Sequence, residues 1–219
     1  MKQNKKMTIG GIEFDLKLTF LIIFGTIVPM LDAYSHRFFD PEKVAGAKAY
    51  DRFIFYFIIP MIVIVLLYRE SPSEFGFRIG DWRKGLLWTA AACALMAVIL
   101  WFAARTPAMQ HYYEAKTPDS TGFLVYISAV ELFAWEFVWR GFMLFGLARV
   151  LGPGPAIFLQ AVPFAFMHLG KPEIETLSTI FGGAAFGFIA WESGSFLYPF
   201  LIHTFIVTFT SLVATGRIG

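Results

Sequence analysis

The chain has 219 residues, of which 57% are hydrophobic, 18% aromatic and only 16% charged, and its mean hydropathy is +0.62; a water-soluble domain carries about a quarter charged residues. A formal net charge of +2 gives no basis for nucleic acid as a partner, and a single cysteine, Cys93, excludes an internal disulfide framework and a cysteine-based zinc site. The composition reads as one integral membrane domain over residues 1–219, with lipid as its solvent.

The start, MKQNKKMTIGGIEFDLK, is polar and too charged throughout to be the simple n-region of a cleaved signal peptide. Apolar runs of spanning or near-spanning length follow at 18–31, 53–68, 86–104, 123–147, 156–168, 174–191 and 196–214. The second holds Pro60, which a packed membrane helix tolerates, and the fifth is the shortest. The expected fold is therefore all-α, a polytopic transmembrane helical bundle of about seven membrane helices. Cys93 lies inside the third run with no activating base around it, and reads as a small buried hydrophobe. Residues 69–84 form a polar, basic connector with Trp82 placed like an interfacial anchor, 105–120 a polar loop with two prolines, and GPGP at 152–155 a break between helices. Lys2, Lys5, Lys6, Arg69, Arg78, Arg83 and Lys84 favour an inside N-terminus, while Arg37, Lys43, Lys48, Arg105 and Lys116 on the other side dilute that signal. In the sixth run Gly183 and Gly187, beside Gly182, have the small-xxx-small spacing that lets helix backbones approach.

Two histidines and a Glu–Arg pair stand out inside these runs: Glu136 and Arg140 in the fourth, His168 at the end of the fifth and His203 in the last. Each costs roughly 2.5–3.5 kcal/mol at bilayer depth on insertion scales, so such groups face the bundle interior and mark functional sites by default. Glu136 and Arg140 are four apart and meet on one helix face; the plain reading is a structural ion pair, with Arg140 orienting Glu136. Glu131 is offset from Glu136 by about 140° around the helix, so the sequence leaves open whether it lines the same cavity. His168 alone reads as a helix cap or an interfacial polar group, and His203 alone as an interhelical hydrogen bond. Together, a carboxylate and two imidazoles on three helices form a set able to activate water, either as general base or, with Glu136, His168 and His203 as ligands, through zinc.

Glu136-x-x-x-Arg140-Gly141, Phe164-x-x-x-His168 and the late His203 resemble, in order and spacing, the three motifs of the CAAX protease and bacteriocin-processing (CPBP, or Abi) family of intramembrane metalloproteases. The resemblance covers roughly residues 123–219; the first three runs match only in general character. It implies a hydrolytic site between membrane helices four, five and seven. Glu136, His168, His203 and Arg140 would be its residues, with Glu131 auxiliary, zinc a possible cofactor, and a membrane-anchored protein or peptide the substrate. It also implies residence in the plasma (inner) membrane of a prokaryote. In the family, two adjacent glutamates begin the first motif, and Asn or Asp follows the third-motif histidine by four. Here those positions are Trp135 and Val207, and the one asparagine in the chain is Asn4. The competing expectations are a family member without proteolysis, serving as a scaffold or immunity-type protein, and a small transporter in which Glu131, Glu136 and His203 relay protons. The hydrophobic pattern shows no inverted repeat to support transport.

Overall fold

The computed structural model describes residues 6–34 and 38–219, so Lys2, Asn4, Lys5 and Arg37 of the sequence argument lie outside the described residues. A hairpin comes first, β1 (Lys6–Ile9) pairing antiparallel with β2 (Ile12–Asp15). Then come α1 (Leu16–Ala33), α2 (Ala47–Tyr68), α3 (Trp82–Ala103), α4 (Pro107–Glu114), α5 (Thr121–Leu151), α6 (Pro153–Phe166), α7 (Glu173–Ser193) and α8 (Leu197–Ala214). The chain is an all-α polytopic bundle, and the hairpin is the one sheet among the described residues.

Six of these helices, rather than the seven expected, are long and apolar enough to cross a membrane. The fifth expected segment, α6, has only 14 residues. At 1.5 Å per residue it is about 21 Å long, short of the roughly 30 Å hydrocarbon layer. It still runs back through the bundle, because α5 ends and α7 begins at opposite ends. At the hairpin end, Glu70 pairs with both Lys17 and Arg149, Asp81 N–H donates to Ser193 O at 2.7 Å, and Tyr198 Oη–H donates to Ile79 O at 2.8 Å. At the far end, Tyr113 Oη–H donates to Glu175 at 3.0 Å and Arg217 to Pro118 O at 2.7 Å.

The polar segment 105–120 is not a loop throughout. Pro107 begins α4, where its missing N–H costs nothing and its fixed φ suits a first turn. Met109 and Tyr113 of α4 then pack against Val213 and Ala214. The break at 152–155 is as expected: Gly152 sits at φ +80° and Pro153 opens α6.

The abundance of phenylalanine has a packing reason. Lipid is as apolar as a side chain, so helix association rests on close contact rather than on hydrophobic transfer. Phe57 meets the rings of Phe133 and Phe137 at 5.2 and 5.0 Å, and Phe133 meets Phe196 and Phe200 at 5.2 and 5.5 Å. Phe142 meets Phe24 at 5.2 Å. Such pairs add about 0.5–1.5 kcal/mol each beyond their buried area. Within this core α5 widens into a π-helical segment, Phe137–Met143, whose seven residues are all buried. Such wide turns recur at functional sites. This one starts directly after Glu136 and contains Arg140. A Cβ at Gly141 would lie 2.9 Å from Phe75 O, so only glycine lets the wide turn approach that backbone.

Candidate active site

The first-motif pair sits at the entry to the π segment and is fully buried, Glu136 and Arg140 both at 0% exposure. Arg140 Nη1–H donates to Glu136 Oε1 at 3.2 Å, as the spacing of four predicts. The same oxygen accepts from His203 Nδ1–H on α8 at 2.6 Å. The Arg140 guanidinium lies 3.8 Å from the centroid of the Phe164 ring and donates through Nη2 to Gly183 O at 3.4 Å. Gly183 makes that approach possible: a Cβ there would lie 2.9 Å from the Phe164 ring, 3.0 Å from Ala161 and 3.4 Å from Arg140 Nη2. Gly187 faces Gln160 of α6 in the same way, whereas Gly182 points into open space. The helix-packing reading of the glycine spacing therefore holds for Gly183 and Gly187.

His168 lies two residues beyond α6, and its Nδ1–H donates to Phe164 O at 2.8 Å. It is thus a cap on the last turn, but a buried one, at 6% exposure. His203 is 7% exposed. Both rings line one cavity of about 990 Å³ enclosed by α1, α2, α5, α8 and the segment after α6. Because each Nδ1 is committed, each Nε2 is left without a hydrogen-bond partner among the described residues. A neutral imidazole that donates through Nδ1 offers a lone pair at Nε2. The cavity therefore meets two imidazole lone pairs, one from α8 and one from the turn after α6.

Glu136 itself does not line the cavity; it stands behind His203. Sequence reasoning expected Glu136, His168 and His203 to converge directly, and the structure instead arranges them as a hydrogen-bonded Glu–His pair and a separately capped imidazole. Among the described residues no group of three His, Cys, Asp or Glu side chains is placed to hold a metal ion. Glu136 stands behind His203 and does not line the cavity that the two Nε2 atoms face, so Glu136, His168 and His203 are not gathered as one zinc shell.

Glu131, left open by the sequence, lines the cavity. It pairs with Arg52 of α2, which also holds Asp32 of α1 through two hydrogen bonds of 2.7 and 2.6 Å. Lys48 adds a longer contact to Asp32 at 3.6 Å. The Arg52 guanidinium lies 4.8 Å from the ring of Trp135, one helical turn after Glu131. Trp135 therefore fills its position with an indole wedged among Tyr56, Trp139, Phe164 and His168. Val207 and Ser211, one and two turns beyond His203, also line the cavity. The sequence reading missed Asp32, Lys48 and Arg52, which stand at the ends of apolar runs and read as ordinary boundary charges. It missed Gln160 as well, a lone amide inside an apolar run that donates to Gly183 O at 2.9 Å. Three buried atoms around this cluster, Glu136 Oε2, Arg140 Nε and Gln160 Oε1, have no protein partner.

One family comparison matches. The family described as type II CAAX prenyl endopeptidase Rce1-like covers residues 117–209, the stretch that holds Glu131, Glu136, Arg140, His168 and His203. Neither a curated protein nor a solved structure gives a significant match. Over residues 117–209 the polytopic membrane bundle of this chain is thus similar to the Rce1-like CAAX prenyl endopeptidase family.

Proposed function

We propose that the protein is an intramembrane endopeptidase that hydrolyses a peptide bond of a membrane-anchored protein or peptide, with His203 as general base and Glu136 as the group that orients it. The observation that carries this reading is the Glu136–His203 hydrogen bond of 2.6 Å beside a cavity that both His203 and His168 line. In this reading a water in the cavity gives its proton to His203 Nε2 and attacks the substrate carbonyl. Glu136 accepts from Nδ1–H, fixes the tautomer and stabilises the imidazolium that forms, as carboxylates do behind catalytic histidines. The imidazolium returns the proton to the leaving amine. His168 Nε2 accepts the second hydrogen of the attacking water and so aims it. Arg140 balances the Glu136 charge from behind and is a positioning residue. The family match over residues 117–209 supports the reaction class, and the apolar lining from Met30, Leu124, Leu132 and Phe166 suits a substrate delivered from the bilayer.

The test is cleavage in proteoliposomes of a panel of membrane-tethered peptides, prenylated and unprenylated, read by mass spectrometry. Wild type is expected to cut at least one. His203→Ala and His168→Ala are expected to lose cleavage by about 10²-fold or more, the usual contribution of a positioned acid–base group, while keeping their unfolding temperatures. A folded wild type that binds these peptides and cuts none would sink the hydrolase in favour of a binding scaffold, a reading that the indole at position 135 would suit.

A further inference from the structure

The hairpin ahead of α1 has a strict two-faced pattern. Its register pairs Lys6 with Asp15, Met7 with Phe14, Thr8 with Glu13 and Ile9 with Ile12. Since paired residues share a face and faces alternate along a strand, Met7, Ile9, Ile12 and Phe14 make one wholly apolar face. Lys6, Thr8, Glu13 and Asp15 make a wholly polar one, with Lys6 and Glu13 bridged at 2.8 Å. Gly10 and Gly11, at φ +57° and +83°, close the tight turn that holds this register. The bundle leaves most of the apolar face uncovered: Met7, Ile9 and Ile12 are 45%, 57% and 62% exposed, and only Phe14, next to α1, is partly buried. A lone two-stranded hairpin is marginal in water, so this face needs an apolar phase against it.

We infer that the hairpin is an interfacial anchor whose apolar face lies in the headgroup–acyl boundary of the protein's own bilayer, with its polar face toward water. Its position follows from the chain. Asp15, the last residue of β2, caps α1 by accepting from Lys17 N–H and Leu18 N–H, both at 3.0 Å, so no linker separates the hairpin from a membrane span. Beyond the hairpin, Leu16 and then Ile22, Ile23 and Ile27 of α1 are exposed too, on a helix long and apolar enough to cross a membrane. In sequence Lys2, Lys5 and Lys6 precede the apolar face, a basic run that suits anionic headgroups. Elements of this kind bury their apolar side about 5–10 Å into the boundary. The inference is independent of any catalytic reading.

Nitroxide labels on the full chain in nanodiscs of phosphatidylcholine and phosphatidylglycerol test it, in a Cys93→Ser background, at Ile9→Cys and Ile12→Cys against Thr8→Cys and Glu13→Cys. Accessibility to oxygen and to a water-soluble nickel chelate is read by power saturation. Positions 9 and 12 are expected to give an oxygen-to-nickel ratio several-fold above that of 8 and 13. Equal nickel exposure at all four sites would place the hairpin in water and overturn the anchor. Protection of 9 and 12 from both reagents, with dipolar broadening between labels, would make the face a contact between copies and overturn it equally.

Discussion

At the scale of single residues, the site depends on which atoms are already committed. His203 and His168 each donate through Nδ1, one to a carboxylate and one to a backbone carbonyl, so both present Nε2 to the same cavity. Glu136→Gln preserves an oxygen that can accept from Nδ1–H but removes the charge that stabilises an imidazolium. It is therefore expected to lower kcat by about 10²-fold or more with KM little changed, the signature of an interaction made mainly in the transition state. Steady-state kinetics on any cleaved peptide checks this, and an equal rise in KM would instead make Glu136 a group for substrate binding. Glu136, Arg140, His168 and His203 were legible in sequence because an ionisable group inside an apolar run is expensive and rare. Glu131, Asp32 and Arg52 were not legible as one cluster. Their ion pairs join helices far apart in sequence, and Asp32 and Arg52 look in sequence like charges at helix ends.

At the scale of elements, the contact between α6 and α7 does two jobs. Gly183 lets the helices close together and lets Arg140 reach its carbonyl, so a methyl group there must displace Phe164, Ala161 or the guanidinium. Gly183→Ala is expected to lower stability by about 1–3 kcal/mol, the usual cost of overpacking, and to reduce activity as Arg140 shifts. Gly182→Ala, which meets nothing within 4 Å, is expected to change neither, and thermal unfolding of the two variants side by side checks the contrast. The spacing of Gly183 and Gly187 made this packing readable in advance. The hairpin and α4 were less readable, for different reasons. The alternation around Gly10-Gly11 is only four residues per strand and sits in a stretch whose lysines dominate its composition. Pro107 reads in sequence as a loop signal, whereas it marks a helix start.

At the scale of the whole molecule, the hairpin end is tied by Glu70, which joins Lys17 at the start of α1 to Arg149 near the end of α5. Burial alone would raise the Glu70 pKa, but the hydrogen bonds and charges of Lys17 and Arg149 outweigh it and hold the carboxyl below its usual value near 4.5. A carboxyl depressed in the folded state adds stability above its unfolded pKa, and that stability is lost as pH falls through the lower folded value. The unfolding temperature in detergent is therefore expected to drop as pH is taken from 5 towards 3. Glu70→Gln should start lower at pH 7 and show a shallower acid drop. An identical acid profile in wild type and variant would show that this three-way tie contributes nothing.

The shortness of α6 has a consequence for what such a bundle can select. A helix of about 21 Å ends partway through a layer of roughly 30 Å, and His168 stands two residues past that end. The depth of the His168 imidazole is then set by how far α6 reaches, whereas that of His203 is set by its place within α8. Under the proposed function, a substrate anchored in the same bilayer would arrive with its own fixed depth, so the bond presented to His168 would be chosen by counting ångströms from the anchor. The stub of α6 serves as a ruler, and adding or removing one turn of it would move the mark.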